Sequence, residues 1–233
     1  MGTGMIGMQW IIFIGVAVVS WLVQMNLQSK FKKYSKIPTG NGMTGADVAL
    51  KMLHDNGIYD VTVTHTPGHL TDHYNPANKT VNLSESVYNS NSIMAAAVAA
   101  HECGHAIQHA HGYAPMSIRA ALVPVVNIGS NLSIPLIFLG VLLSWNQTLI
   151  QLGIWAFALT VIFQLVTLPV EFNASHRAIV KVEEYGLLGS EEVSGGKKVL
   201  TAAALTYVAG AASSALQLLR LILLYGGNRR RRD

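Results

Sequence analysis

From Ala120 to Val170 the chain runs for 51 residues without an Asp, Glu, Lys, Arg or His. The hydrocarbon core of a bilayer takes about 20 apolar residues as a helix, so one helix cannot absorb this length but two joined by a polar turn can. Trp145-Asn146-Gln147 supplies the turn and an interfacial tryptophan. The expectation is a transmembrane helical hairpin over 120–170, with spans near 123–144 and 149–169 and with Pro124 and Pro135 as kinks or early-turn residues. A buried hairpin in a large soluble core is the alternative. The composition disfavours it: 12% of residues are charged, against about 25% in an ordinary soluble domain.

A second charge-free run, Met5 to Leu27, is also long enough to cross. It has no basic residue ahead of it and ends in Gln24-Met25-Asn26-Leu27, without a small-residue cleavage pattern. It is therefore expected to be a retained anchor (5–27), not a cleaved signal. Lys30, Lys32, Lys33 and Lys36 follow at once, which places the N-terminus outside and the region 28–119 in the cytoplasm. The net charge of +4 would suit nucleic acid, but the basic residues cluster beside apolar spans, where they act as orientation signals. No nucleic-acid partner is expected. A charged stretch (171–198) is followed by an apolar helix over 199–225, rich in the small residues that let membrane helices approach closely. Its crossing is left open, since crossing would put Arg229–Arg232 of the basic tail (226–233) outside. If it does not cross, the tail lies inside near anionic lipid.

Within 28–119, Thr44 and Asp47 form a T-x-x-D arrangement ahead of Val48, Ala49, Met52 and Leu53, the start of a capped helix that ends near Gly57. Val61, Val63 and His65 alternate with polar residues as a half-buried strand would, and 71–74 with 80–83 form a hairpin around Asn75-Pro76-Ala77-Asn78. A short curved sheet thus precedes a helix at about 92–110.

That helix carries His101-Glu102-Cys103-Gly104-His105. Residues four apart on a helix differ by about 40° in direction and about 6 Å in height, so the two imidazoles converge on one ion. Glu102 then meets a water on the open side, which gives two ligands and a general base on one rigid element. Ala95 to Ala100 suit a helix threaded through a core. The competing reading, a histidine-rich surface helix, leaves that apolar run unexplained. Cys103, the single cysteine, excludes an intrachain disulfide and points away from both histidines as a packing residue.

A catalytic zinc wants a third protein ligand and one open position. His111 stands where H-E-x-x-H-x-x-G-x-x-H would put it, but the glycine that reverses the chain is replaced by Gln108. On an unbroken helix His111 lies about 15 Å along the axis from His101 and cannot reach, and His109 is a turn too far. The alternative is a glutamate from a later helix. Glu171, at the lip of the charge-free hairpin in LPVEFNASHRA, is the preferred candidate, because an ionisable group there is costly unless paired or on a metal. His176, Arg177 and Tyr207 are candidate oxyanion donors, against surface or packing roles, and Asp72 and His73 are candidate orienters of a ligand histidine, against the preferred reading of a structural contact within the hairpin.

With these motifs in order, the chain resembles the YugP-like family of bacterial membrane zinc metallopeptidases, and more distantly HtpX and the CAAX prenyl proteases. The likeness covers nearly its whole length: FKKYSK, NGMTGADVA, HDNGIYDV, LTDHYNP, AAHECGHAIQ, LVPVVNIGSN, LPVEFNASHRA and AAALTYVA. The resemblance implies one Zn2+, peptide-bond hydrolysis, ligands at His101, His105 and Glu171, and Glu102 as base. The distant relatives carry E-x-x-x-D after the hairpin, and this chain has Ser175 in place of that aspartate.

The expected fold is mainly α: a membrane helical bundle with the H-E-x-x-H zinc helix and a small β-hairpin or sheet on the cytoplasmic side. The expected function is a multi-pass zinc metalloendopeptidase of the cell membrane. It would act on peptides or membrane proteins, with Glu102 moving a proton from water to the leaving amine and the strand at 73–83 able to take a peptide as an added strand. A zinc-dependent membrane scaffold or sensor is the alternative, although a purely structural site fills its fourth position with protein. A zinc transporter would need ligands inside the spans, and 120–170 has none.

Overall fold

The computed structural model describes residues 2–225, with side chains from Trp10 onward, Ile11 excepted. The chain forms two compact units, and the helices α1 (Gly2–Tyr34), α6 (Gln147–Glu184) and α7 (Ser190–Tyr225) contribute residues to both. The basic tail Arg229–Arg232 lies outside the described residues.

The first unit joins Val23–Ser117 to Leu168–Thr206. Its first full helix, α2 (Gly45–Asp55), starts at the capping box seen in the sequence. The Asp47 N–H donates to Thr44 Oγ1 at 3.2 Å, and the Thr44 N–H donates to Asp47 Oδ2 at 2.9 Å. This answers two of the donors that a helix start leaves without intrahelical partners. Three short strands follow: β1 (Thr62–Thr66), β2 (His73–Asn75) and β3 (Thr80–Ser84). The sheet order is β1-β3-β2, with β2 antiparallel and β1 parallel to the central β3. The β2–β3 hairpin follows the sequence expectation. The parallel partner of β1 does not, because alternation marks a strand without saying where it pairs.

After a single turn, α3 (Glu85–Tyr88), comes α4 (Ile93–Ala110), which passes through the middle of this unit. Ala95, Ala96 and Ala99 are fully buried, in one core with Val48, Ala49, Met52 and Leu53 of α2, Val81 and Leu83 of β3, and Ala178 and Val182 of α6. Alanines favour helix strongly and leave room for neighbours on every side. That is why a helix so poor in large side chains can sit at the centre.

The second unit holds the N-terminal part of α1, Ile118–Thr167 and the end of α7. The charge-free run is a helical hairpin, α5 (Ala114–Leu142) and the start of α6. Asn146 caps α6, its Oδ1 accepting from Thr148 N at 3.1 Å and Leu149 N at 3.2 Å. The two helices approach closely at small residues: a Cβ on Gly153 would lie 2.7 Å from Ser133 O, and Ser133 Oγ donates to Gly153 O at 3.0 Å. Ile128, Phe138 and Trp155 are exposed, as lipid-facing side chains are.

Among the described residues, four helical stretches are long and apolar enough to cross a membrane: Ile12–Tyr34, α5, α6 and α7. The segment whose crossing was left open, 199–225, thus belongs to a helix with the length and composition of a span. Pro124 and Pro135 lie inside α5, and α6 continues through Pro169 and Glu171 to Glu184. Proline is tolerated in such helices because neighbouring groups satisfy the backbone it frees.

Candidate active site

Ser92 opens α4, its hydroxyl accepting from Ala95 N at 3.2 Å. From there the helix is unbroken through His101, Glu102 and His105 to Ala110. Gly104, which reads as a weak point in a helix, is the place where α6 comes closest. A Cβ there would lie 2.5 Å from Ala174 O. This contact allows the backbones to approach and brings one turn of α6 under the two histidines.

The residue delivered is Glu171. Its Oε2 is 3.3 Å from His101 Nε2 and 3.6 Å from His105 Nε2. One donor atom from each of the three residues lies within 4.8 Å of the others. Ligands about 2.1 Å from a tetrahedral zinc stand about 3.4 Å apart, so the two Glu171–histidine distances and the N,N,O donor set fit such an ion. The electrostatics agree. Glu171 is 2% exposed and Glu102 8%. Burial pushes the His105 imidazole down, but the Glu171 and Glu102 carboxylates outweigh it and leave the pKa raised above the ordinary histidine value. Surroundings that favour a proton there also favour a metal cation.

The other imidazole nitrogens are held from behind. Ser175 Oγ lies 3.1 Å from His101 Nδ1. His105 Nδ1 lies 3.0 Å from Gln108 Oε1. Gln108 is fully buried, and its Nε2 donates to Val170 O at 2.8 Å and Asn173 Oδ1 at 3.0 Å. With the amide so oriented, Oε1 can only accept. The Nδ1 of His105 therefore carries the proton and Nε2 keeps its lone pair for a metal. Asn173 Oδ1 also accepts from Arg177 Nε at 2.7 Å, and the Arg177 guanidinium lies over the Tyr113 ring. Gln108 was legible only as a missing glycine, and nothing in its local pattern marks it as a support for His105.

Other expected residues are placed elsewhere. Asp72 does not orient a ligand: it accepts from Ser84 N at 2.7 Å and Ser84 Oγ at 2.9 Å, tying the hairpin together. His73 is exposed, with Nδ1 2.7 Å from Thr71 O. For Asp72 this is the hairpin contact that the sequence favoured; the Nδ1 atoms of the two ligand histidines are met by Ser175 and Gln108, which α6 and α4 bring within reach. Arg177 is engaged with Asn173 and Tyr113, His176 is exposed on α6, and Tyr207 falls in the second unit. His109 Nδ1 lies 2.7 Å from Tyr74 Oη, and His111, the C-cap of α4, lies 2.9 Å from Ile107 O through Nδ1. Cys103 is fully buried, its thiol 3.6 Å from Ala49 O and its pKa pushed up by burial.

Glu102 faces the sheet. Its Oε2 accepts from Tyr74 N, on the edge strand β2, at 2.9 Å. A carboxylate on the ligand helix is thereby held beside both the metal residues and a sheet edge.

Residues 9–226 match the family described as "Putative neutral zinc metallopeptidase". The "Putative membrane protease YugP" of Bacillus subtilis (strain 168) is 46% identical over 193 residues, which cover 82% of this chain and 85% of that protein. No solved structure matches the chain significantly. The chain belongs to this zinc metallopeptidase family and is a membrane protein.

Proposed function

We propose that this member of the family is a membrane zinc endopeptidase in which His101, His105 and Glu171 hold one zinc and Glu102 is the general base and acid. The observation that carries the reading is the convergence of three donor atoms, with Glu171 Oε2 3.3 and 3.6 Å from the two imidazoles, beside a buried Glu102 on the same helix as two of them. Bound zinc supplies Lewis acidity and lowers the pKa of a water. Every other function comes from the chain. Gln108 and Ser175 keep the Nε2 atoms of the two histidines aimed at the site. Glu102 takes a proton from water at its carboxylate and gives it to the leaving amine.

The substrate is a peptide segment of a membrane or membrane-associated protein. Strand β2 is a sheet edge, and its Tyr74 N–H already touches Glu102. A peptide added along that edge would bring its backbone to the base. The lysines Lys30, Lys32, Lys33 and Lys36 favour a cytoplasmic position for this side of the protein.

The test is metal analysis of the purified chain together with cleavage of casein and of a membrane-protein substrate. Glu102→Gln keeps zinc and loses about 10²–10⁴-fold in turnover. Undiminished turnover in that variant overturns the catalytic assignment. A wild-type chain that holds zinc but cleaves nothing favours the scaffold or sensor alternative.

A further inference from the structure

Among its described residues the membrane unit holds a partly buried cationic group and no acidic side chain. Residues 1–22, 118–167 and 207–225 include no Asp or Glu, yet Arg220 stands on α7 inside an apolar stretch. Its guanidinium lies 5.7 Å from the ring centres of both Trp10 and Phe13 on α1. Its Nε is buried without a hydrogen-bond partner. Rings attract the cation weakly and accept no N–H bond of ordinary strength.

Beneath Arg220 lies a cavity of about 420 Å³ between α1, α6 and α7. Phe13, Val16, Phe157 and Leu223 are among the apolar residues of its wall. Ser20, Ser213, Ser214, Gln217 and Arg220 are its polar ones. The volume is that of a small-molecule site. Helices α1 and α7 run antiparallel along it: Ser20 Oγ meets Ser213 Oγ at 3.2 Å at one end, and Phe13 meets Arg220 at the other. Seven helical residues separate Ser213 from Arg220, so the groove extends about 10 Å below the guanidinium. The depth is defined too. Arg220 is five residues, or about 7.5 Å, from Tyr225, which packs on Trp145 in the hairpin turn. Tyrosine and tryptophan mark the membrane–water interface, and arginine reaches toward it.

We propose that this groove is a binding site for an anionic phospholipid, with an acyl chain between α1 and α7 and the phosphate on Arg220. Charge selects the occupant. A protein helix or a zwitterionic lipid could fill the apolar groove, but an anionic headgroup also supplies a net counter-charge, absent among the unit's described residues, and an acceptor for Arg220 Nε.

The test is native mass spectrometry of the full chain in mild detergent, with phosphatidylglycerol and phosphatidylcholine of matched chains. The wild type retains one phosphatidylglycerol, at least about fivefold over phosphatidylcholine. Arg220→Gln brings the two lipids level, and Arg220→Lys keeps the preference. Val16→Trp, which fills the groove without changing charge, lowers retention of both. Equal retention by the wild type, unchanged phosphatidylglycerol retention in Arg220→Gln, or a lipid-free dimer that Val16→Trp dissociates overturns the proposal.

Discussion

The two units use apolar residues in opposite ways. In the sheet unit they turn inward, so that Val48, Leu53, Ala95 and Ala99 are inaccessible. In the membrane unit they turn outward, with Trp155 72% and Ile128 64% exposed, and among the described residues Ile137, Ile150, Ile154 and Leu221 form a small inner cluster. Water drives the first arrangement, because burying apolar area there is favourable. Lipid tails are as apolar as leucine, so the second depends on close backbone contact at small residues. The treatment of polar groups follows. Glu102, Gln108 and Ser84 in the sheet unit each have hydrogen-bond partners, whereas Thr160 Oγ1, Gln164 Oε1 and Arg220 Nε of the membrane unit are buried without one.

The contrast is broken most strongly at the ligands. Glu171→Ala takes zinc from about one per chain to near none and abolishes turnover, while His111→Ala changes neither, as read by elemental analysis of purified protein. If His111→Ala loses zinc instead, the third ligand has been misassigned.

A second test compares the two glycine contacts. Gly104→Ala forces a Cβ against Ala174 O and Gly153→Ala forces one against Ser133 O, each at a cost of about 1–3 kcal/mol. Thermal unfolding in detergent measures both. Zinc per folded molecule falls only in Gly104→Ala, since only there do the helices part where ligands meet. Equal zinc loss in the two variants would mean that the site depends on both contacts alike.

The smallest effect is at the α2 cap. Thr44→Ala lowers stability by about 1 kcal/mol at neutral pH without altering zinc content. The Thr44 hydroxyl and N–H hold the Asp47 pKa below its usual value. A lowered folded-state pKa gives stability that is present above the unfolded value of about 3.9 and is lost as pH falls through the folded one. Thr44→Ala therefore narrows its gap to wild type as the pH drops below about 4, measured by denaturant unfolding across pH.

What the sequence determined by itself was local or compositional. The spacing of His101, Glu102 and His105 acts through helix periodicity, the Thr44–Asp47 cap through three residues, and the run from Ala120 to Val170 through its lack of charge. Each rests on a rule that needs no partner from elsewhere in the chain. Glu171 was found the same way, because a carboxylate at the end of an apolar span demands a partner. Tertiary structure alone decided which partners met. It paired β1 with β3, passed α6 straight through Pro169, gave Asp72 to Ser84, and turned Gln108 from a missing glycine into the group that fixes His105. The contacts behind the two ligand histidines span 3 and 74 positions of sequence and depend on where two helices cross. At Gly104 that crossing is set by the absence of a single Cβ, and no local pattern says which backbone will come to fill the space.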